Sequence, residues 1–153
     1  MVIKEIEHEI FSCNENILAI NFAEDSFKIR NFSTDSGFGV RALKDKKLGF
    51  SYCSSKLELE KTIQKASSLS KQSIKSDFSF ASKSKYPDLN AYDRKIAEMD
   101  ELYLRDISGQ INDLIKKQGC KSRIYSSLSE EQIKIENTMG LDGAYKKTNS
   151  SFF

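Results

Sequence analysis

The chain holds a single histidine, a single proline and three cysteines, and no apolar run in its 153 residues approaches a membrane-spanning length. Each scarcity closes a class of function. A zinc-protease helix of the His-Glu-x-x-His type needs two imidazoles on one face with the glutamate as base. His8-Glu9 supplies the first half, but Ser12 stands four residues later and no second histidine exists. That chemistry is excluded from these residues, and the alternation around His8 marks a strand histidine facing solvent or a partner. Cys13, Cys53 and Cys120 are odd in number, widely separated and free of any Cys-x-x-Cys pair. They suggest neither a disulfide framework nor a zinc clip, and are expected as buried, inert thiols packed as small hydrophobes. With no spanning run and no signal peptide after Met1, no membrane partner is expected and the location is read as cytoplasmic. A formal charge of +2, with 39% hydrophobic and 30% charged residues, leaves no bulk pull toward nucleic acid or an anionic surface.

At 153 residues the chain is long enough for one continuous core, so residues 1–153 are expected to form a single domain. From Glu5 to Cys13, Ile6, His8 and Ile10 share one face, which reads as a strand, and Asn14 to Asn16 reads as a turn. Ile17 to Phe22 and Phe27 to Phe32 read as two more strands around the polar Glu24-Asp25-Ser26. Phe38, Val40 and Ala42, then Leu48, Phe50 and Tyr52, alternate on either side of Lys44 to Lys47, giving a hairpin. Five short strands in succession favour an antiparallel meander. Ser55 precedes Glu58 by three residues, a capping-box spacing, and Leu59, Ile63, Ala66 and Leu69 or Ser70 stripe a helix from about Lys56 to Lys71. Residues 70–91 lose periodicity and are rich in Ser and Lys around Pro87, as in a mobile, protease-sensitive linker. Ile96, Met99, Tyr103, Ile107, Ile111 and Leu114 then predict one long helix ending at Gly119. Ser122 to Leu128, Gln132 to Glu136 and a run after Asp142-Gly143 predict two or three closing strands. Segregated strands and helices predict an α+β fold, an antiparallel sheet with two helices packed on one face.

The run GFGVRAL, a charged turn, KLGFSYCSS and then a helix resembles the N-terminal domain of the TldD/PmbA family, the metallopeptidases also called modulators of DNA gyrase. The resemblance returns in ENTMG, where Asn137, Thr138 and Gly140 fit the family's Asn-Ser/Thr-x-Gly pattern. Asp45-Lys46 stands where family members commonly carry Asp-Gly, and the family's leading helix is not expected in the residues before the first strand. The resemblance marks Gly37, Gly39, Arg41, Gly49, Asn137 and Gly140 as family-like positions with structural roles, and assigns no catalytic residue. It implies that the catalytic domain, with zinc on a His-Glu-x-x-x-His helix, lies outside this sequence, so no cofactor is expected here. The partners it implies are peptide or unfolded-protein substrates and a family member in a homo- or hetero-dimer.

Three further patterns have plainer readings. Gly37-x-Gly39-x-x-Ala42 imitates a dinucleotide fingerprint, but strand alternation follows it and no βαβ unit precedes it. Lys71, Lys75, Lys83 and Lys85, with Phe78, Phe80 and Tyr86 among them, could form a basic patch for single-stranded nucleic acid in a stand-alone interaction module. A solvated linker is the simpler reading, since Asp77 and Asp88 dilute the lysines and no RNA-binding signature accompanies them. Nucleic acid is therefore disfavoured as a partner. The terminal Ser151-Phe152-Phe153 reads as an exposed aromatic end that a longer chain would continue.

Overall fold

The structure, a computed structural model, describes residues 6–23 and 26–153, apart from the side chains of 28 and 29. The expected turn at Glu24-Asp25 and the residues before Ile6 lie outside the described residues. The strands are β1 (Glu7–Ala23), β2 (Ser26–Lys44), β3 (Lys47–Cys53), β4 (Arg123–Asn137) and β5 (Asp142–Phe152). Between β3 and β4 come the helices α1 (Leu59–Ser70), α2 (Arg94–Ala97) and α3 (Glu101–Lys117). The strands form one open antiparallel sheet in the order β3-β2-β1-β4-β5, so the α+β expectation holds.

Fewer, longer strands replace the expected short ones. Asn14 to Asn16 and Ser33 to Ser36 run through as strand because their polar side chains pair across it: Thr34 Oγ1 donates to Asn16 Oδ1 at 2.8 Å. The two strands expected within β4 are likewise one, and Glu130 and Glu131 meet Lys146 and Lys147 of β5 as ion pairs. Hydrophilic residues that resemble turns in sequence are here the wet positions of a continuous ladder.

The chain divides into two compact units, and β1, β2, β4 and β5 each supply residues to both. In the first unit, Ile6, Ile10, Val40 and Ala42 of the sheet pack with Ile63 and Ala66 of α1, and Phe38 and Leu59 close the cluster. The expected stripe on α1 is correct, with Ser70 buried in preference to Leu69. Ser55 accepts from Leu57 N–H at 3.2 Å and starts a short 3-10 turn that leads into α1. In the second unit Ile20, Leu104 and Leu128 form the buried centre, with Leu18, Phe27, Ile96, Met99 and Phe152 around it.

The long second helix is divided. Asp93 accepts from Lys95 N–H at 2.8 Å and Asp100 from Tyr103 N–H at 3.0 Å, so each opens its own helix and α2 stops before α3 begins. The buried ridge of α3 is Leu104, Ser108 and Asn112, one residue away from the expected stripe, while Leu114 is exposed. Its polar members are satisfied: Ser108 and Ser126 share a hydrogen bond of 3.0 Å, and Ser122 donates to Asn112 at 2.7 Å. Gly119 takes φ +73 just past the helix end, and its N–H donates to Lys116 C=O, the expected left-handed cap. Phe152 is partly buried in the second core, against expectation, and only Phe153 is exposed, its ring 6.4 Å from that of Tyr125. Cys53 is buried and Cys13 half-buried, but Cys120 is exposed because it directly follows the helix cap.

Candidate functional site

The hairpin residues build the first part of the site. Asp45 and Lys46 sit at φ 53 and 61, the left-handed pair that a two-residue hairpin turn demands, and Lys44 pairs with Lys47. On β3, a Cβ added at Gly49 would lie 1.9 Å from Ala66 O and 2.6 Å from Ser70 N. The backbone of α1 therefore rests directly on Gly49. Gly37 and Gly39 are not forced in this way: an added Cβ would stand 3.8 Å from Cys53 O and 3.5 Å from the Phe50 ring, ordinary contacts.

Arg41 joins β2 to its surroundings. Its Nε donates to Glu9 Oε1 at 2.9 Å and its Nη2 pairs with the same oxygen; the Glu9 side chain is only 6% exposed. The guanidinium also lies 5.2 Å from the ring centroid of Phe78 and 6.0 Å from that of Phe80. Those rings belong to the expected linker, which has no helix or strand of its own between 76 and 91 but is held at several points. Lys75 pairs with Lys47, Ser76 N–H donates to Lys46 C=O at 2.8 Å, and Asn137 Nδ2 donates to Ala81 O at 2.9 Å. Phe80 is buried, and the Tyr86 ring lies against Gly143. Sequence reasoning missed this strap and its partner Glu9. The alternation of Phe78 and Phe80 in DFSFA was the available signal, masked by Ser and Lys on either side.

Asn137 and Gly140 organise the turn between β4 and β5. Asn137 Oδ1 accepts from Met139 N–H at 2.9 Å and Leu141 N–H at 3.1 Å, while Gly140 at φ +87 reverses the chain. Thr138 then joins the turn to β1: its N–H donates to His8 O at 3.0 Å, and its Oγ1 accepts from His8 N–H at 3.2 Å. An open depression of about 360 Å3 lies here, lined by His8, Ile10, Glu136, Asn137 and Asp142 among others. Nearby, the hydrogen bond and charge of Glu136, helped by Asp142, raise Lys134 above the ordinary lysine value.

A zinc ion does not fit these residues. His8 is the sole histidine, its Nδ1 is 2.7 Å from Ile6 O, and among the described residues no three His, Cys, Asp or Glu side chains stand close enough to hold a metal. Of the strap aromatics, Phe80 is buried and Phe78 half-buried, whereas Tyr86 is 49% exposed. Phe78 and Phe80 pack edge to face at 5.3 Å beneath Arg41, while Lys71, Lys75, Lys83 and Lys85 are exposed.

Residues 9–70, which include the hairpin, the Arg41–Glu9 pair and α1, match the family profile described as PmbA/TldA metallopeptidase domain 1. Over that segment, about two fifths of the chain, this chain is similar to the first domain of the TldD/PmbA family. Similar solved structures include TldE from Thermococcus kodakarensis, at TM-score 0.85 and 17% identity. A protein from Thermotoga maritima titled a modulator of a DNA gyrase gives TM-score 0.85 at 16% identity, and one from Bacteroides thetaiotaomicron titled a modulator of DNA gyrase gives 0.71 at 17%. Each alignment covers 95% of this chain but only 35%, 34% and 36% of the respective relative, so the chain spans about a third of their length. Among curated proteins, none matches it in sequence. Of the positions marked by the resemblance, Gly49, Arg41, Asn137 and Gly140 have close contacts, hydrogen bonds or a positive φ that account for them in this fold, whereas Gly37 and Gly39 are ordinary strand positions sterically.

Proposed function

We propose that this chain is the non-catalytic N-terminal domain of a longer TldD/PmbA-type zinc metallopeptidase, where it contributes to the substrate cleft and to pairing with a family member. The observation that carries the reading is the likeness in fold over 95% of this chain to proteins about three times as long, joined to the family match over residues 9–70. Metal chemistry and peptide cleavage belong, in this reading, to the part of the polypeptide beyond this domain. The domain supplies an open sheet whose end strands present backbone groups to an extended substrate. The purified chain is expected to bind no stoichiometric zinc and to leave unfolded polypeptide intact. Tightly held metal seen by elemental analysis, or metal-dependent cleavage by pure material, would contradict it.

A further inference from the structure

β3 is an end strand, and its outer edge is used once by the strap. Lys75 pairs antiparallel with Lys47 there, and Ser76 donates to Lys46 C=O. Among the described residues, no backbone hydrogen bond from another segment reaches that edge between Leu48 and Cys53. An exposed edge is ordinarily guarded by charge, proline or a bulge, and LGFSYC contains no charge and no proline. Gly49, Ser51 and Cys53 are buried on the α1 side, while Phe50 and Tyr52 are 57% and 78% exposed on the other.

Lysines gather where the open edge begins. Lys46 and Lys47 come from the hairpin, Lys71 from the end of α1 and Lys75 from the strap; Lys47 Nζ donates to Lys71 O at 3.1 Å. Lys47 and Lys75 stand directly opposite each other, a like-charge pairing that is unfavourable on its own. Lys46 meets Asp77 at 3.6 Å, but both side chains are largely exposed and such a pair is weak. Carboxylates placed here would relieve the repulsion.

We propose that the free edge of β3, from Leu48 to Cys53, accepts an extended polypeptide segment with acidic residues beside the lysine cluster and apolar residues at alternate positions beside Phe50 and Tyr52. The segment continues the pairing that Lys75 begins, and the two-residue period brings every second side chain to the aromatic side. This rests on the reading of the parent protein as one that acts on peptides.

The test is amide hydrogen exchange on the whole chain with a short synthetic peptide of glutamates followed by alternating valine and threonine. The peptide is expected to slow exchange in β3. Affinity is expected to fall by about tenfold when its glutamates become lysines, or in the Lys71→Glu, Lys75→Glu double variant. An N-methylated version, unable to donate from its backbone, is expected to give no protection. The proposal is overturned if β3 stays unprotected, if the N-methylated peptide binds equally, or if oligothymidylate binds more tightly. It is also overturned if β3 becomes protected by raising the protein concentration alone, which would make a second copy the occupant. Binding here needs neither zinc nor cleavage. Failure at β3 would therefore leave the peptidase reading standing, and a native chain of domain size would remove that reading without touching the result at β3.

Discussion

Arg41 shows how much one side chain can connect. It neutralises a carboxylate that is almost wholly buried and lies over the two rings that bring the strap to the sheet. Removing one member of a buried pair costs several kcal/mol, because the other charge is left without a partner. The Arg41 side chain is itself 41% exposed, so water recovers part of that loss and Arg41→Ala is expected to cost roughly 2 kcal/mol in urea unfolding. A double-mutant cycle with Glu9→Gln should then show strong coupling, and independent additive effects would contradict the pairing. Lys46 makes the opposite point. At φ 61 it holds a conformation unfavourable for any residue with a Cβ, at the second position of the two-residue turn. Lys46→Gly is expected to raise stability by roughly 0.5–1 kcal/mol, read as a higher urea midpoint at unchanged slope. A lower midpoint would mean that the lysine side chain stabilises the turn.

Individual elements were unevenly legible. The hairpin, its turn and α1 could be read because alternation of period two, a capping serine and a helical stripe follow one another without interruption in residues 38–70. Strand continuity through Asn14–Asn16 was hidden, because cross-strand partners such as Thr34 are distant in sequence. The break between α2 and α3 was hidden by a helical spacing that continues across Asp100, although that aspartate is itself a cap. The buried line of α3 was misplaced because Ser108 and Asn112 look hydrophilic until their partners Ser126 and Ser122 are known. Gly49 lies within the motif that carries the family resemblance, but the reason for a glycine there, direct contact with the backbone of α1, is visible only in the fold. Gly49→Ala is expected to cost at least about 3 kcal/mol, since neither contacted atom belongs to a flexible side chain. Gly39→Ala, with room beside the Phe50 ring, is the control and should cost much less. Equal effects in thermal unfolding would show that the contact with α1 does not govern the packing of β3.

At the scale of the whole molecule, the resemblance to the TldD/PmbA family rests in the sequence on two short motifs; the family profile matches residues 9–70, and the likeness in fold covers 95% of the chain. The strap was the least legible part, since its Ser and Lys composition suits a solvated linker while its aromatics meet Arg41 and the sheet. The candidate site was legible only as family-like positions, because Glu9, Phe78 and Phe80 join Arg41 solely through the fold. No described helix is long and apolar enough to cross a membrane. The central claim is that this domain works as one part of a longer metallopeptidase, and the mass of the native polypeptide in its source cells, detected with an antibody raised against the domain, tests it most directly. The expected result is a species far heavier than 17.4 kDa whose remaining sequence carries a His-Glu-x-x-x-His helix. A native species near 17.4 kDa would contradict the claim.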